Sequence, residues 1–299
     1  MADDPLLVAQ HEGRRRFLEL VADLRPELHR YCARMTGSIA DGEDIVQDTL
    51  ARAYYLLPEM NELPAFRPWL FRIAHNRALD YLRRYETRMG EPLDASQDNA
   101  IDPAPDPGDV IAHDQAVQAA VSRFIELAPA QRSCVILKDV LGHSLEQIGA
   151  LLELSLPAVK AALHRGRVRL RELAGALPAA APPRQPSPAV ARYVALFNAR
   201  DWDGVRAMLA DDVQLDLVSR AQRVGRAVGD YMSNYERHSG WRLAPAWLEG
   251  REVIGVFRAL EEARPGYFIE LTVESGKVRF IRDFRYVPYV MQDAAVVLA

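Results

Sequence analysis

The sequence predicts a multidomain chain in which two all-α domains precede a C-terminal α+β domain. Three observations carry that prediction. A length of 299 residues suits two or three domains of roughly 100–200 residues each. Two stretches of linker composition divide the chain: Met89–Val110 holds four prolines and six acids without a lysine or arginine, and Ala174–Pro188 is an Ala/Pro run of the extended, semi-rigid kind. Apolar residues recur at helical spacing before the second linker, and largely alternate as in strands after it. The boundaries fall at 1–88, a linker over 89–110, a second helical domain over 111–177, a linker over 178–188, and the α+β domain over 189–299. No internal repeat is visible.

Composition narrows the class. The chain is 49% hydrophobic and 26% charged, which is globular and soluble. Its net charge of −4 argues against a general affinity for nucleic acid, so any such contact must come from local patches. Cys32 and Cys134 stand far apart without a C-x-x-C spacing; they are expected as buried apolar side chains, not as a zinc site or a disulfide. The N-terminus places acids before its basic residues and has no apolar core, so it does not read as a signal peptide. No run approaches the ~18 apolar residues that span a bilayer. The expectation is a cytoplasmic protein with no membrane partner, no metal and no cofactor.

Asp41–Leu57 reads as an amphipathic helix with Val46, Leu50, Ala53 and Leu57 on one stripe. Asp44, Gln47 and Asp48, at i, i+3 and i+4, share a polar acidic face; taken alone, that face is also what a solvated helix N-terminus looks like. Phe66–Arg88 is different in kind. Arg67, Arg72, Arg77, Arg83, Arg84 and Arg88 meet only Asp80 and Glu86, with Phe66, Trp69, Phe71, Tyr81 and Tyr85 interleaved. Arginines that hold phosphates, beside rings that accept unstacked bases, suit single-stranded or melting DNA. Trp69, Phe71 and Tyr81, taken individually, suit a core better.

Ser144–Leu173 reads as two short helices joined by a tight turn. Ser144 and Gln147 make an S-x-x-Q capping box, with Ile148, Leu151 and Leu152 as the apolar face behind it. Ser155 is a second N-cap, and Pro157 is tolerated in a first helical turn. The second helix carries Lys160, Arg165, Arg167, Arg169 and Arg171 with His164 among them, while Val159, Leu163 and Leu170 keep one side apolar. A short helix, a turn and a cationic helix make a helix-turn-helix, which presents side chains to a major groove and cations to phosphates. The plain alternative is a solvated basic helix on a bundle.

After the second linker, helices are expected over Pro188–Ala199, Asp203–Leu209 and Val228–Arg237. Strands are expected over Val213–Val218, Trp241–Leu248, Glu252–Phe257, Tyr267–Glu274 and Lys277–Tyr286, with turns at Glu249-Gly250 and Ser275-Gly276. Pocket candidates are Asp216, Tyr231, Trp247, Asp283 and Tyr286, because an acid or phenol in an apolar enclosure can act as a base or an oxyanion donor. Ordinary satisfied polar groups are the competing account, and no catalytic residue is assigned.

Taken in order, D-G-E-D-I-V-Q-D-T at 41–49, F-R-P-W-L-F-R-I-A-H-N-R-A-L-D-Y-L-R-R at 66–84, L-A-P-A-Q-R at 127–132 and the helix-turn-helix at 144–170 resemble the extracytoplasmic-function (ECF) group of bacterial sigma factors. The resemblance covers roughly Phe17–Leu173. It implies that 1–88 is region 2 and 111–177 is region 4, with core RNA polymerase (clamp and flap) and promoter DNA as partners. Asp44, Gln47 and Asp48 would then face the polymerase clamp. Asn61, in the loop Pro58–Ala65 that helps hold a flipped base, would act at the −10 element with Arg67, Trp69, Arg72, Asn76, Arg77, Asp80, Arg83 and Arg84. Ser155, Lys160, His164, Arg165, Arg167 and Arg169 would serve the −35 element. The recognition helix departs from the usual Gly-Thr-Val-Lys-Ser-Arg opening, having Pro157-Ala158-Val159-Lys160-Ala161-Ala162, and its turn carries Glu153 where glycine is usual. Residues 189–299 resemble the SnoaL-like cone-shaped α+β barrel, a fold that hosts enzymes and binding modules alike.

The function expected is promoter recognition and initiation of DNA-templated transcription, regulated in cis by the C-terminal domain with an unknown small ligand or partner, and without enzymatic activity. Two alternatives stay open. One is a stand-alone ligand-sensing helix-turn-helix regulator, which would need neither the 66–84 segment nor the acidic face. The other is an isomerase- or hydrolase-like barrel fused to a DNA-binding module, which would need an acid–base pair in its pocket.

Overall fold

The computed structural model describes residues 5–59, 65–89, 119–175, 185–236, 240–259 and 261–299, and the chain divides into two compact units, 1–177 and 178–299. The first unit holds α1 (Pro5–Ala22), α2 (Arg25–Thr36), α3 (Ile39–Leu56) and α4 (Phe66–Met89). A 3-10 turn (Val121–Glu126) then leads into α5 (Pro129–Val135), extended by a π-helical turn (Ile136–Val140), and into α6 (Leu145–Leu152) and α7 (Leu156–Gly175). Most of the 89–110 linker, with the tip of the 58–65 loop and Asn61 on it, lies outside the described residues.

Local chemistry accounts for the helix ends. Ser38 Oγ accepts from the Asp41 N–H at 3.2 Å, which starts α3 two residues before the expected Asp41. The capping box forms as read: Ser144 Oγ accepts from Gln147 N at 3.2 Å, and Gln147 Oε1 accepts from Ser144 N at 2.8 Å. Ser155 Oγ accepts from Ala158 N at 3.4 Å and opens α7. Between α6 and α7, Glu153 takes the left-handed conformation (φ 58°, ψ 39°) that a glycine would adopt without strain, and its N–H bonds the Gly149 carbonyl.

The two helical stretches on either side of the first linker share one core. Tyr31, Val46 and Phe71 from the first stretch join Phe124, Ile136 and Val159 from the second in a continuous cluster, each fully buried. Gly42 lets α3 approach α2, since a Cβ there would lie 2.5 Å from the backbone of Ala33. Arg132, the last residue of the L-A-P-A-Q-R stretch, is fully buried. It donates to the carbonyls of Ile125 at 2.9 Å and Leu127 at 2.8 Å, and also to that of Met35 at the end of α2.

The second unit is α+β. It contains α8 (Pro188–Asn198), α9 (Trp202–Met208), β1 (Leu209–Leu217), β2 (Ala221–Val224), α10 (Arg226–Glu236), β3 (Arg242–Leu248), β4 (Arg251–Phe257), β5 (Tyr267–Glu274), β6 (Lys277–Asp283), a 3-10 turn (Pro288–Gln292) and β7 (Val297–Leu298). The seven strands form one sheet in the order β2-β1-β6-β5-β4-β3-β7. The β1–β6 pair is parallel and the others are antiparallel. One face carries Leu215, Leu217, Ile254, Val256, Tyr267, Ile269 and Ile281, packed with Tyr193, Phe197 and Val205 from the helices. The opposite face is covered too: Phe268 stacks on Phe284 at 4.1 Å, and Phe257, Val287 and Val290 are buried.

Both expected hairpin turns form, with positive φ at Glu249, Gly250, Ser275 and Gly276. Strand β6 stops at Asp283 and not at Tyr286, because Asp283 Oδ1 accepts from the Arg285 N–H at 2.9 Å and turns the chain.

Gly42→Ala drives a methyl group into the α2 backbone and is expected to cost about 2–3 kcal/mol, read as a lower urea midpoint of the full chain; a loss well under 1 kcal/mol would show that the α2–α3 approach has slack. Glu153→Gly relieves the left-handed strain and is expected to raise stability by about 1 kcal/mol in the same titration.

Candidate nucleic-acid interface

Helix α4 has an exposed cationic side, and a single acid organises its second half. Asp80 lies 3.8 Å from Arg77 and 3.6 Å from Arg83, and its carbonyl accepts from Arg84 Nε at 3.3 Å. Arg83, Arg84 and Tyr85 are exposed, and Tyr85 stacks with Tyr81 at 6.4 Å and 18° between planes. This is the pairing of cations and accessible rings that unstacked bases require. Phe71 is fully buried, while Trp69 is half-buried against Phe66 at 5.9 Å. Asn76 is exposed.

The acidic face and the arginine helix touch. Asp44 and Asp48 are exposed, Gln47 is half-buried, and Asp48 lies 3.5 Å from Arg77. The first half of α4 meets other partners: Arg67 pairs with Glu27 at 2.6 Å, and Arg72 donates to the Ala150 carbonyl of α6 at 3.1 Å. The helix-turn-helix thus lies against the N-terminal half of α4.

On α7, Lys160, His164 and Arg169 are exposed, as is Ser155 at its cap. Arg169 also pairs with Glu172 at 3.2 Å. Arg165 is half-buried. Arg167 requires a correction as a DNA-facing residue. Its side chain is 14% exposed and forks onto Asp139 with bonds of 2.9 and 2.6 Å, because α7 rotates that position toward the π-helical turn. Its signal in the sequence was its place beside the buried Gly166 and Leu170, not its charge.

Residues 20–88 match the Sigma-70 region 2 family, and residues 118–170 match the Sigma-70, region 4 family. ECF RNA polymerase sigma factor SigF of Caulobacter vibrioides is 32% identical over 142 residues, covering 48% of this chain and 75% of SigF. The chain belongs to the ECF RNA polymerase sigma factors. ECF RNA polymerase sigma factor SigG of Mycobacterium tuberculosis is 33% identical over 204 residues, 60% of this sigma factor and 55% of SigG, so the chain spans about half the length of that relative. Among solved structures, a putative polyketide cyclase from Pseudomonas putida is similar at 18% identity with a TM-score of 0.25, covering 36% of the sigma factor and 96% of that chain. Among the described residues of the sigma factor, no helix is long and apolar enough to cross a membrane.

The second unit of this sigma factor gathers three of the five expected pocket residues. Asp283, 1% exposed, accepts from the Tyr235 hydroxyl at 2.6 Å, and burial raises its carboxyl above the usual range. Burial, with Asp283 and Tyr286 nearby, pushes the Tyr231 phenol up to about 12. Burial likewise raises Tyr235 and Tyr267 well above the ordinary value. The Arg285 guanidinium lies 4.7 Å from the Trp241 ring. Tyr235 and Tyr267 escaped the sequence reading, although Tyr235 is one helical turn after Tyr231 and Tyr267 alternates with Ile269.

Asp216 and Trp247 need correction as pocket residues. Asp216 sits between the inward-facing Leu215 and Leu217, so it points to the other face, 3.7 Å from Arg282. Trp247 lies on β3, three strands from β6, opposite Val297 of β7.

His75 of α4 ties the two helical stretches together. Its Nδ1 is 2.8 Å from the Tyr31 hydroxyl of α2 and 3.4 Å from Ser133 Oγ of α5. Burial lowers its pKa to about 4, against roughly 6.5 in an unfolded chain. The neutral ring therefore contributes stability that is whole above about pH 6.5 and lost as pH falls toward 4. The wild-type chain should lose more stability than His75→Gln between pH 7 and pH 5, read as the shift in urea midpoint; equal shifts would mean that His75 titrates freely.

Proposed function

We propose that this chain is the promoter-recognition subunit of RNA polymerase, working in the cytoplasm with the core enzyme and promoter DNA, and that its C-terminal α+β domain regulates it in cis. The observation that carries this reading is a second nucleic-acid surface besides the helix-turn-helix: the exposed Arg83, Arg84 and stacked Tyr81–Tyr85 of α4. A stand-alone duplex-binding regulator has no use for a surface suited to unstacked bases.

Roles divide accordingly. Asp44 and Asp48 face the polymerase clamp, with Gln47 at the edge of that patch. The second half of α4 acts on opened −10 DNA. Lys160, His164, Arg165 and Arg169 act at −35 from a helix seated by Arg167 on Asp139. Arg72 is released to −10 DNA once α6 moves off α4, and Arg67 once it leaves Glu27 of α2. The regulatory reading of the second unit rests on its being joined to a promoter-recognition module; its buried Tyr235–Asp283 pair among phenols is what the barrel-enzyme alternative needs, and no chemistry is assigned to it.

The test is transcription in vitro with core polymerase, using the full chain and its variants. Lys160→Ala should weaken promoter binding and reduce the salt slope by about one unit. Arg167→Ala should leave the slope unchanged and lower the melting temperature. Arg83→Ala with Arg84→Ala should impair opening and be rescued by a pre-melted template. Failure of the full chain to direct any promoter-dependent transcript would sink the reading.

A further inference from the structure

Between α4 and α6 lies a cleft of about 370 Å³. We propose that it is a binding site for a small organic phosphate of mononucleotide size, and that the bound phosphate bridges the arginine helix to the helix-turn-helix.

The lining carries the argument. Arg67 and Arg72 come from α4, His143 and Leu141 from the loop before α6, and Gln147 and Leu151 from α6. The polar groups there are set to donate. Arg67 spends one nitrogen on Glu27, and Arg72 spends one on the Ala150 carbonyl, which leaves further guanidinium N–H groups on each. Gln147 commits Oε1 to the capping box, so its amide N–H groups remain.

His143 is only 8% exposed. Its ring stands edge-on to Phe71 at 5.4 Å, and its buried Nε2 has no hydrogen-bond partner. Burial and the Arg67 charge both lower its pKa, which favours the neutral ring. A buried ring nitrogen without a partner marks a place where a polar group is missing. Among the described residues, no acidic residue lines the cleft.

Two guanidiniums lining one cleft suit a phosphate, which each can grip by paired hydrogen bonds. Leu141, Leu151 and Pro68 give an apolar floor for a flat organic body, and the volume falls within the range of small-molecule sites. The functional consequence rests on the sigma-factor reading. Arg67 and Arg72 are assigned to −10 DNA, so the bound phosphate and the promoter compete for them, and occupancy favours the arrangement in which α6 covers α4.

Binding of AMP to the full chain, followed by calorimetry, tests the site, with adenosine and inorganic phosphate as separate arms. AMP should bind saturably at one site, and adenosine and inorganic phosphate should each bind at least roughly tenfold more weakly. Gln147→Glu keeps the capping box, since glutamate serves there equally well, and places a carboxylate in the cleft. It should weaken AMP at least roughly tenfold with an unchanged melting temperature. Arg72→Gln should weaken it similarly. No saturable AMP binding, equal binding of adenosine or of inorganic phosphate, or wild-type affinity in Gln147→Glu overturns the proposal. Promoter-dependent transcription by the wild-type chain without AMP reads the sigma-factor assignment separately, so either can fail alone.

Discussion

A buried guanidinium seats the second helical stretch on the first. Arg132 has left water entirely, and main-chain carbonyls solvate it in exchange. One of them, on Met35, is in the last turn of α2, where carbonyls lack helical partners and carry the negative end of the helix dipole. The rest of the helical unit after α5 inherits its position from that contact. The π-helical turn places Asp139, and Asp139 holds Arg167. That fork sets the rotation of α7, and with it which cations face outward. Replacing such a cation leaves acceptors stranded in an apolar interior, which is costlier than losing a surface ion pair.

The same seating brings the two proposed nucleic-acid surfaces into one core. Phe71 of the arginine helix is packed edge-on to His143, next to the capping box, and Arg72 reaches the backbone of α6. Apolar burial drives this contact, and the polar groups around it are few and specific. The described arrangement therefore exposes the end of α4 and the outer stripe of α7, while Phe71 and the Arg72 contact tie the first half of α4 to α6. Any state in which both recognition elements are fully exposed has to give up part of a shared core.

Most helices and the core strands were legible because their signals are local. Capping side chains, apolar stripes and glycine-containing turns act within a few residues, and Ser144, Gln147 and Ser155 do what such residues do in isolation. Two strands were not legible. All four residues of β2 are exposed and β7 has only two, so neither shows alternation. Candidate-site residues were legible as chemical types but not always as directions. The charge of Arg167 suggested DNA, whereas its helical position points it at Asp139. Asp216 was chosen for its chemistry, although the alternation Val213, Leu215, Leu217 already turned it away from Asp283. The buried role of Arg132 depends on a carbonyl 97 residues away, and Gly42 depends on the neighbouring helix; neither has a local signature.

The parallel pairing of β1 with β6 sets an order of events during synthesis. Leu217 lies opposite Asp283, so the strand that opens the sheet waits for one far along the sequence. Contacts of such long sequence separation form late and slowly, and a domain generally folds as a unit once its last strand has emerged. The helical unit has all its core residues in hand far earlier, because Leu170 is the last buried member of that core. A nascent chain thus passes through a period in which the helical unit is complete and the α+β unit is not. During that interval the helical unit is subject to no control that needs a finished sheet.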